Sequence, residues 1–228
     1  MFFRNCLMVG QNVVNRSRAN TFALPNFRYF SSEDPRNKYI PSGLMDNLPM
    51  KPNFILRFKN IISSAVISGI FDPDFSQQNF LEGSKQAVEF VSNCLANEDF
   101  NTLEESNCVT PECLTKLKHK LLNFTKPQQE RLAVLKEDIW YHYIYQIQVI
   151  LDDDRPPDPT DRKRKVEIVY IVHHIKENGP GPELQLQLYK FIRNYTKGVE
   201  DSWTINGINL GRVERRKKQE KRALKRRW

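Results

Sequence analysis

Residues 139–151 read IWYHYIYQIQVIL, and this stretch decides the fold class. Apolar and aromatic side chains recur at every second position, which is the period of a strand rather than of a helix. One side of the predicted strand carries Ile139, Tyr141, Tyr143, Tyr145, Ile147, Val149 and Leu151. The other side carries Trp140, His142, Gln146 and Gln148. The stretch therefore predicts one long strand that begins near Asp138.

Three stretches further along the chain alternate in the same way and predict three more strands, at 165–176, 184–195 and 202–210. The connections between them have the composition of loops. Residues 152–161 combine aspartates with three prolines, and residues 179–182 read GPGP. Short connections between consecutive strands predict an antiparallel sheet.

Helical signals dominate the chain before these strands. Ser76 can cap a helix that extends to about Asn97, and Thr110 followed by Pro111 is a strong helix start. The predicted helices cover residues 54–71, 76–97, 100–106, 110–124 and 126–135. Helices followed by a run of strands predict the α+β class, with a sheet of about four strands.

The positive charge lies at the two ends of the chain. The net charge is +8 over 228 residues. Residues 1–32 carry four arginines and no carboxylate, and residues 212–228 carry ten Lys/Arg and two Glu. Residues 33–211 therefore hold 21 basic and 25 acidic side chains. A mildly acidic body does not predict a DNA-binding domain.

The N-terminus has the composition of a mitochondrial transit peptide, because it combines arginine, serine and apolar residues without acids. We predict a transit peptide at residues 1–30, with cleavage in the region of Arg28, Phe30 and Ser31. Residues 31–53 are rich in Pro, Asn, Asp and Ser and predict a linker with little structure. No apolar run reaches the ~18–20 residues of a spanning helix.

No motif for catalysis or for a resident cofactor is present. The sequence has no glycine-rich phosphate loop, nucleophile elbow or paired-histidine metal helix. Cys108, Cys113 and His119 could form half a zinc site, but a second ligand pair is missing. We therefore predict no cofactor, no metal and no enzyme. One rival hypothesis keeps a ligand pocket, lined by Trp140, Tyr141, Tyr143, Tyr145 and Tyr170.

The first helix, at residues 54–71, has two interpretations. Its apolar residues recur at helical spacing, with basic residues between them. The helix could contact a membrane or a partner, or it could be an ordinary core helix of the domain. The candidate contact residues are Phe54, Ile55, Arg57, Phe58, Lys59 and Ile62.

Three stretches carry a resemblance to a known family. The first combines Phe75-Ser76, residues 80–87 (FLEGSKQA) and Val91-Ser92. The second is residues 99–105 (DFNTLEE), and the third is residues 191–205 (FIRNYTKGVEDSWTI). Together they resemble the mitochondrial m-AAA protease-interacting family, in the superfamily of the C-terminal domain of the inner-membrane import-motor tether. The resemblance covers roughly residues 54–211.

The resemblance implies a non-enzymatic adaptor in the mitochondrial matrix, attached peripherally to the inner membrane. Its implied partners are the subunits of the inner-membrane AAA protease and a small single-span client, a subunit of the calcium uniporter whose maturation it would assist. The implied fold has helices against a strongly curved, cone-like antiparallel sheet. The superfamily also includes a mitoribosomal large-subunit protein, so a ribosomal or ribosome-tethering protein is the alternative.

The C-terminal tail at residues 212–228 lies outside the family pattern. Its cations predict attraction to an anionic partner, either a lipid surface or ribosomal RNA. The candidate contacts are Arg215, Arg216, Lys217, Lys218, Lys221, Arg222, Lys225, Arg226 and Arg227. A solvated tail that binds nothing is the simpler alternative.

Overall fold

A computed structural model describes residues 37–41, 54–151, 163–176, 183–199 and 201–215. Within these residues, helices precede the long strands, as predicted. The helices are α1 (Phe54–Val66), a π-helical turn (Ile67–Phe71), α2 (Gln77–Ala96), α3 (Phe100–Ser106), α4 (Pro111–Leu121), α5 (Lys126–Glu130) and a 3-10 turn (Lys136–Asp138). The strands are β1 (Asn37–Pro41), β2 (Ile139–Leu151), β3 (Arg164–Lys176), β4 (Glu183–Asn194) and β5 (Thr204–Arg215).

The strands form one antiparallel sheet in the order β1-β5-β4-β3-β2. The four long strands follow one another as a meander, which confirms the predicted α+β class. The strong curvature and cone-like shape implied by the resemblance are not found, because this open sheet is not strongly curled.

Residues 31–53 were predicted to be a linker with little structure, but they contain a strand. Residues Asn37–Pro41 form β1 and pair with β5 from Gly211 to Arg215. The pairing extends β5 four residues past residue 211, where the domain was predicted to end. The transit-peptide region at 1–30 and the remainder of the tail, 216–228, lie outside the described residues.

Alternation along β3 separates the two faces of the sheet. Four side chains at every second position join the main core under the helices: Val166, Ile168, Tyr170 and Val172. The residues between them, Val169 and Ile171, join a smaller cluster on the opposite face with Leu186 and Leu188 of β4. Both faces of the central strands are therefore apolar.

The single-sided pattern predicted for β2 is wrong. The register between β2 and β3 shifts between Ile144 and Gln146, which marks a β-bulge. Beyond the bulge, Ile147 and Val149 face the main core, whereas Tyr143 and Tyr145 pack on the opposite cluster. One extra residue reverses which positions face inward, so simple alternation cannot hold along the whole strand.

The helix starts follow the cap residues that the sequence indicated. Ser76 Oγ accepts from the backbone N–H of Asn79 at 3.5 Å, and Thr110 Oγ1 accepts from that of Cys113 at 3.3 Å. The predicted helix at 54–71 is α-helical to Val66 and then becomes a π-helical turn. Helices α4 and α5 end earlier than predicted, at Leu121 and Glu130.

Aromatic rings fill the centre of the main core. Phe80 of α2 contacts Phe191 of β4 and Trp203, with ring centroids 5.3 and 5.0 Å apart. Trp203 also contacts Phe75 and Tyr195. These contacts join the start of α2 to the end of β4 and the entry to β5. None of the helices in the described ranges is long and apolar enough to span a bilayer.

Candidate functional site

Helix α1 lies along the outer edge of β2 and is attached there by one side chain. Asn60 Nδ2 donates to the carbonyl oxygen of Tyr145 at 2.9 Å, and Asn60 Oδ1 accepts from the N–H of Ile147 at 2.8 Å. The amide therefore imitates a neighbouring strand at this point. Covering an edge in this way protects it from pairing with another chain.

The opposite side of α1 exposes a run of large apolar residues, which we name the α1 face: Ile55, Phe58, Ile61 and Ile62. Their exposed fractions are 57%, 61%, 65% and 49%, respectively. The spacing of three and four residues places these side chains on one side of the helix. Arg57 and Lys59 are also exposed, so cations flank the apolar run.

This exposure bears on the two interpretations of the first helix. A core helix would bury its apolar residues, yet full burial begins only at Ile67, in the π-helical turn. The candidate contact residues Ile55, Arg57, Phe58, Lys59 and Ile62 all reach solvent. The side chain of Phe54 lies outside the described part of the chain. The exposure favours a contact surface over a core helix.

A second attachment holds the end of this helical segment. Asp72 Oδ2 accepts from Arg193 Nη1 at 2.7 Å and from the Tyr195 hydroxyl at 3.3 Å. Arg193 Nε also donates to the carbonyl oxygen of Asp201 at 3.0 Å. The ring of Phe71 stacks on Tyr195 at 5.6 Å. These contacts fix the π-helical turn against the β4–β5 connection.

The partly buried surroundings of Tyr195 raise the pKa of its hydroxyl. Burial is the largest effect and raises the pKa of its hydroxyl, and the Asp72 carboxylate acts in the same direction. The nearby Arg193 guanidinium lowers the pKa, without reversing the shift. The hydroxyl stays protonated at neutral pH and can donate to the carboxylate.

Sequence reasoning missed Asn60 and the Asp72–Arg193 pair. Arg193 entered the sequence analysis only as part of the stretch 191–205, and Asp72 lies just past the predicted helix at 54–71. The partners lie 85 to 121 residues apart along the chain, so only the tertiary fold brings them together. Asn60 shares its side of the helix with Ser63 and Ser64, so the sequence did not mark it out.

The aromatic residues of the pocket hypothesis do not converge. Tyr170 is fully buried in the main core, whereas Tyr143 and Tyr145 pack on the opposite face of the sheet. Tyr141 and Trp140 are 50% and 39% exposed. The structure thus divides these side chains between two faces rather than around one pocket.

The half zinc site is not completed by the fold. Across the described ranges, no group of three or more His, Cys, Asp or Glu side chains could hold a metal ion. Cys113 is buried, and burial raises the pKa of its thiol to about 12.

The predicted anionic-partner contacts lie almost entirely outside the described residues. Arg215 is the last residue of β5 and is paired in register with Asn37. Arg216, Lys217, Lys218, Lys221, Arg222, Lys225, Arg226 and Arg227 lie beyond it, as Arg28, Phe30 and Ser31 do at the other end.

Replacing Asn60→Ala is expected to lower the free energy of unfolding by about 1–3 kcal/mol, because two backbone groups of β2 lose their partner. Urea unfolding of the full chain measures this loss. Lys59→Ala is the matched control, since it removes an exposed neighbouring side chain and should change stability by less than about 0.5 kcal/mol. Equal effects of the two variants would show that the Asn60 contacts do not hold α1.

The described structure defines the class of protein by its fold and its exposed edge helix. It is an α+β domain with helices on one face of an antiparallel meander and an edge helix that exposes apolar side chains. No protein-family model matches the chain.

Comparison with curated proteins finds distant relatives along most of the chain. It is 26% identical over 211 residues to m-AAA protease-interacting protein 1, mitochondrial, of Mus musculus, covering 84% of this chain and 69% of that protein. The Homo sapiens protein of the same name is 26% identical over 206 residues, with the same coverage. That of Rattus norvegicus is 26% identical over 226 residues, covering 90% and 74%. The chain therefore resembles the m-AAA protease-interacting proteins.

Proposed function

We propose that this chain is a non-enzymatic mitochondrial adaptor that binds the m-AAA protease through the α1 face. The observation that carries the proposal is the exposure of Ile55, Phe58, Ile61 and Ile62 on one side of a helix. The relatives are named for interacting with this protease and are not themselves named as proteases.

Exposed apolar surface has a higher free energy in water than when it is buried against a partner. A contiguous exposed apolar patch on a folded domain marks an interaction site more often than an isolated apolar residue does. Half-exposed Ile and Phe side chains each have about 1 kcal/mol still to gain on full burial. Four of them on a helix provide a contact of the helix-in-groove kind.

We place the adaptor in the matrix, peripherally attached to the inner membrane, where it assists maturation of a small single-span subunit of the calcium uniporter. The resemblance supports this role. Arg57 and Lys59 beside the apolar run suit a contact near anionic headgroups.

The two ends of the chain have proposed roles of their own. Residues 1–30 direct import and are removed near Arg28, Phe30 and Ser31. N-terminal sequencing of protein recovered from mitochondria tests this, and an intact Met1 would contradict it. The cations of residues 212–228 attract an anionic partner, and a salt-independent attachment would contradict that role.

Affinity capture from mitochondria tests the adaptor proposal. Tagged full-length chain should retain subunits of the m-AAA protease above the level retained by an unrelated matrix protein. Dominant recovery of large-subunit ribosomal proteins, lost on deleting residues 216–228, which lie beyond β5, would instead support the ribosome-tethering alternative. Recovery of neither group would contradict both proposals.

A further inference from the structure

We propose that the interface between α2 and the sheet holds a bound water molecule, coordinated by Ser84 Oγ, His142 Nδ1 and the Tyr170 hydroxyl. This site is internal and is independent of the α1 face. Its ligand class is a single neutral molecule that both donates and accepts hydrogen bonds.

The first observation is that all three polar atoms are buried and have no hydrogen-bond partner among the described residues. Ser84 and Tyr170 are fully buried, and His142 is half-buried with its Nδ1 atom inside. A buried polar group without a partner costs about 1–3 kcal/mol, so most such groups in folded proteins bond to protein or to ordered water.

The second observation is that these groups face one another. The rings of His142 and Tyr170 meet edge to face, with centroids 5.8 Å apart. In the β2–β3 register His142 is paired with Val172, and Ile144 with Tyr170, so the two rings are diagonal neighbours on the same face. That face is the one covered by the helices, because Ile144 and Tyr170 belong to the main core.

Ser84 reaches the same place from α2. One turn earlier on the helix, Phe80 contacts Phe191, and Phe191 contacts Tyr170 at 6.2 Å. Lys85 and Glu82 influence the pKa of His142, and Glu82 influences that of Tyr170. Because Phe80 and Ser84 are one turn apart and are both fully buried, the side of α2 that carries Ser84 faces the ring cluster that contains Tyr170.

The chemistry of the three groups suits water better than an ion. Burial lowers the pKa of His142 and raises that of Tyr170, so both side chains are neutral at pH 7. A neutral imidazole nitrogen and two hydroxyls can supply the two to four polar partners that an internal water requires. Nothing in this set carries the charge needed to hold an ion.

A nearby tyrosine provides the matched control. Tyr189 is buried beside Tyr170 in the β3–β4 register, but its hydroxyl donates directly to Gln187 Oε1. Gln187 Nε2 in turn donates to the carbonyl oxygen of Leu132 at 3.1 Å. Tyr189→Phe therefore breaks a direct bond and should lower the urea midpoint of the full chain.

Tyr170→Phe tests the proposal through the sign of its effect. If the hydroxyl binds water, its removal lowers the urea midpoint, as in Tyr189→Phe. If the hydroxyl has no partner, its removal eliminates a desolvation cost and leaves the midpoint unchanged or raises it, which would overturn the proposal.

Coupling between two variants tests whether the groups share one molecule. The midpoint change of the Ser84→Ala/Tyr170→Phe pair should differ from the sum of the single changes, because both groups would bind the same water. Additive changes would overturn a shared site. A crystal structure of the full chain should then show solvent density within hydrogen-bond distance of all three atoms, and empty density would contradict the site directly.

Discussion

Acidification from pH 7 to pH 4 is expected to destabilise the fold strongly through His173 and His174. Burial lowers the pKa of each imidazole to about 4, and Lys176 and His173 add to the shift of His174. Both side chains lie on β3, His173 stacked on Tyr143 at 6.0 Å and His174 fully buried. Within the described part of the chain, no carboxylate raises the pKa of either imidazole.

Folding stability falls with the pH because the unfolded chain binds these two protons at a higher pH than the folded chain does. An unfolded chain protonates its histidines near pH 6.5, whereas the folded chain does so only near pH 4. The stabilising contribution is therefore complete above about pH 6.5 and is lost as the pH falls toward 4. Each histidine should cost about 3 kcal/mol over this interval, from 1.36 kcal/mol per pKa unit.

Urea unfolding at several pH values measures this effect. The His173→Gln/His174→Gln variant should show a flatter dependence between pH 6.5 and pH 4 than the unmodified chain. His119→Gln is the matched control, because it makes the same substitution at an exposed position on α4. Identical slopes for all three proteins would contradict the burial of the β3 histidines.

Trp203→Ala is expected to remove about 3–5 kcal/mol of stability, a large share of the ~5–15 kcal/mol of a typical domain. The indole is 3% exposed and contacts three other rings: Phe75, Phe80 and Tyr195. Its loss leaves a cavity where α2, β4 and the entry to β5 meet. No neighbouring element can close that space without moving.

Trp140→Ala provides the comparison, since Trp140 is 39% exposed on β2. Its removal should cost less than that of Trp203, about 1–2 kcal/mol, because a larger part of its surface already contacts water. Urea unfolding followed by circular dichroism compares the two variants without relying on tryptophan fluorescence. A Trp203→Ala loss no greater than that of Trp140→Ala would contradict the central place of the Trp203 cluster.

The local patterns in the sequence were sufficient for the long elements. Period-two alternation gave the four strands of the meander to within about two residues at their starts, and the caps Ser76 and Thr110 gave the starts of two helices. These signals work because side-chain spacing and capping bonds depend on neighbours along the chain.

Features that depend on distant partners could not be predicted. The bulge at 144–146 is fixed by pairing with β3, and β1 exists through its pairing with β5. Residues 37–41 (NKYIP) are too few to show alternation, and they end in a proline, so they carry no clear strand signal of their own. The same reason explains why Asn60 was missed, since its two bonds reach across 85 and 87 residues.

The α1 face was identified from sequence only as one of two possibilities. A helical run of Ile and Phe has the same pattern whether it faces a core or a partner. The difference arises from the position of the helix, at the sheet edge rather than over a face, and position is set by the Asn60 and Asp72 attachments.

Direct binding of the purified full chain to reconstituted m-AAA protease tests the adaptor proposal most closely. Phe58→Gln/Ile61→Gln should weaken binding at least tenfold, which corresponds to about 1.4 kcal/mol, while leaving the fold intact because both residues are more than 60% exposed. Leu122→Gln, an equally apolar loss at an 82% exposed position after α4, should bind as the unmodified chain does. Unchanged affinity for the double variant would contradict the assignment of the α1 face as the binding surface.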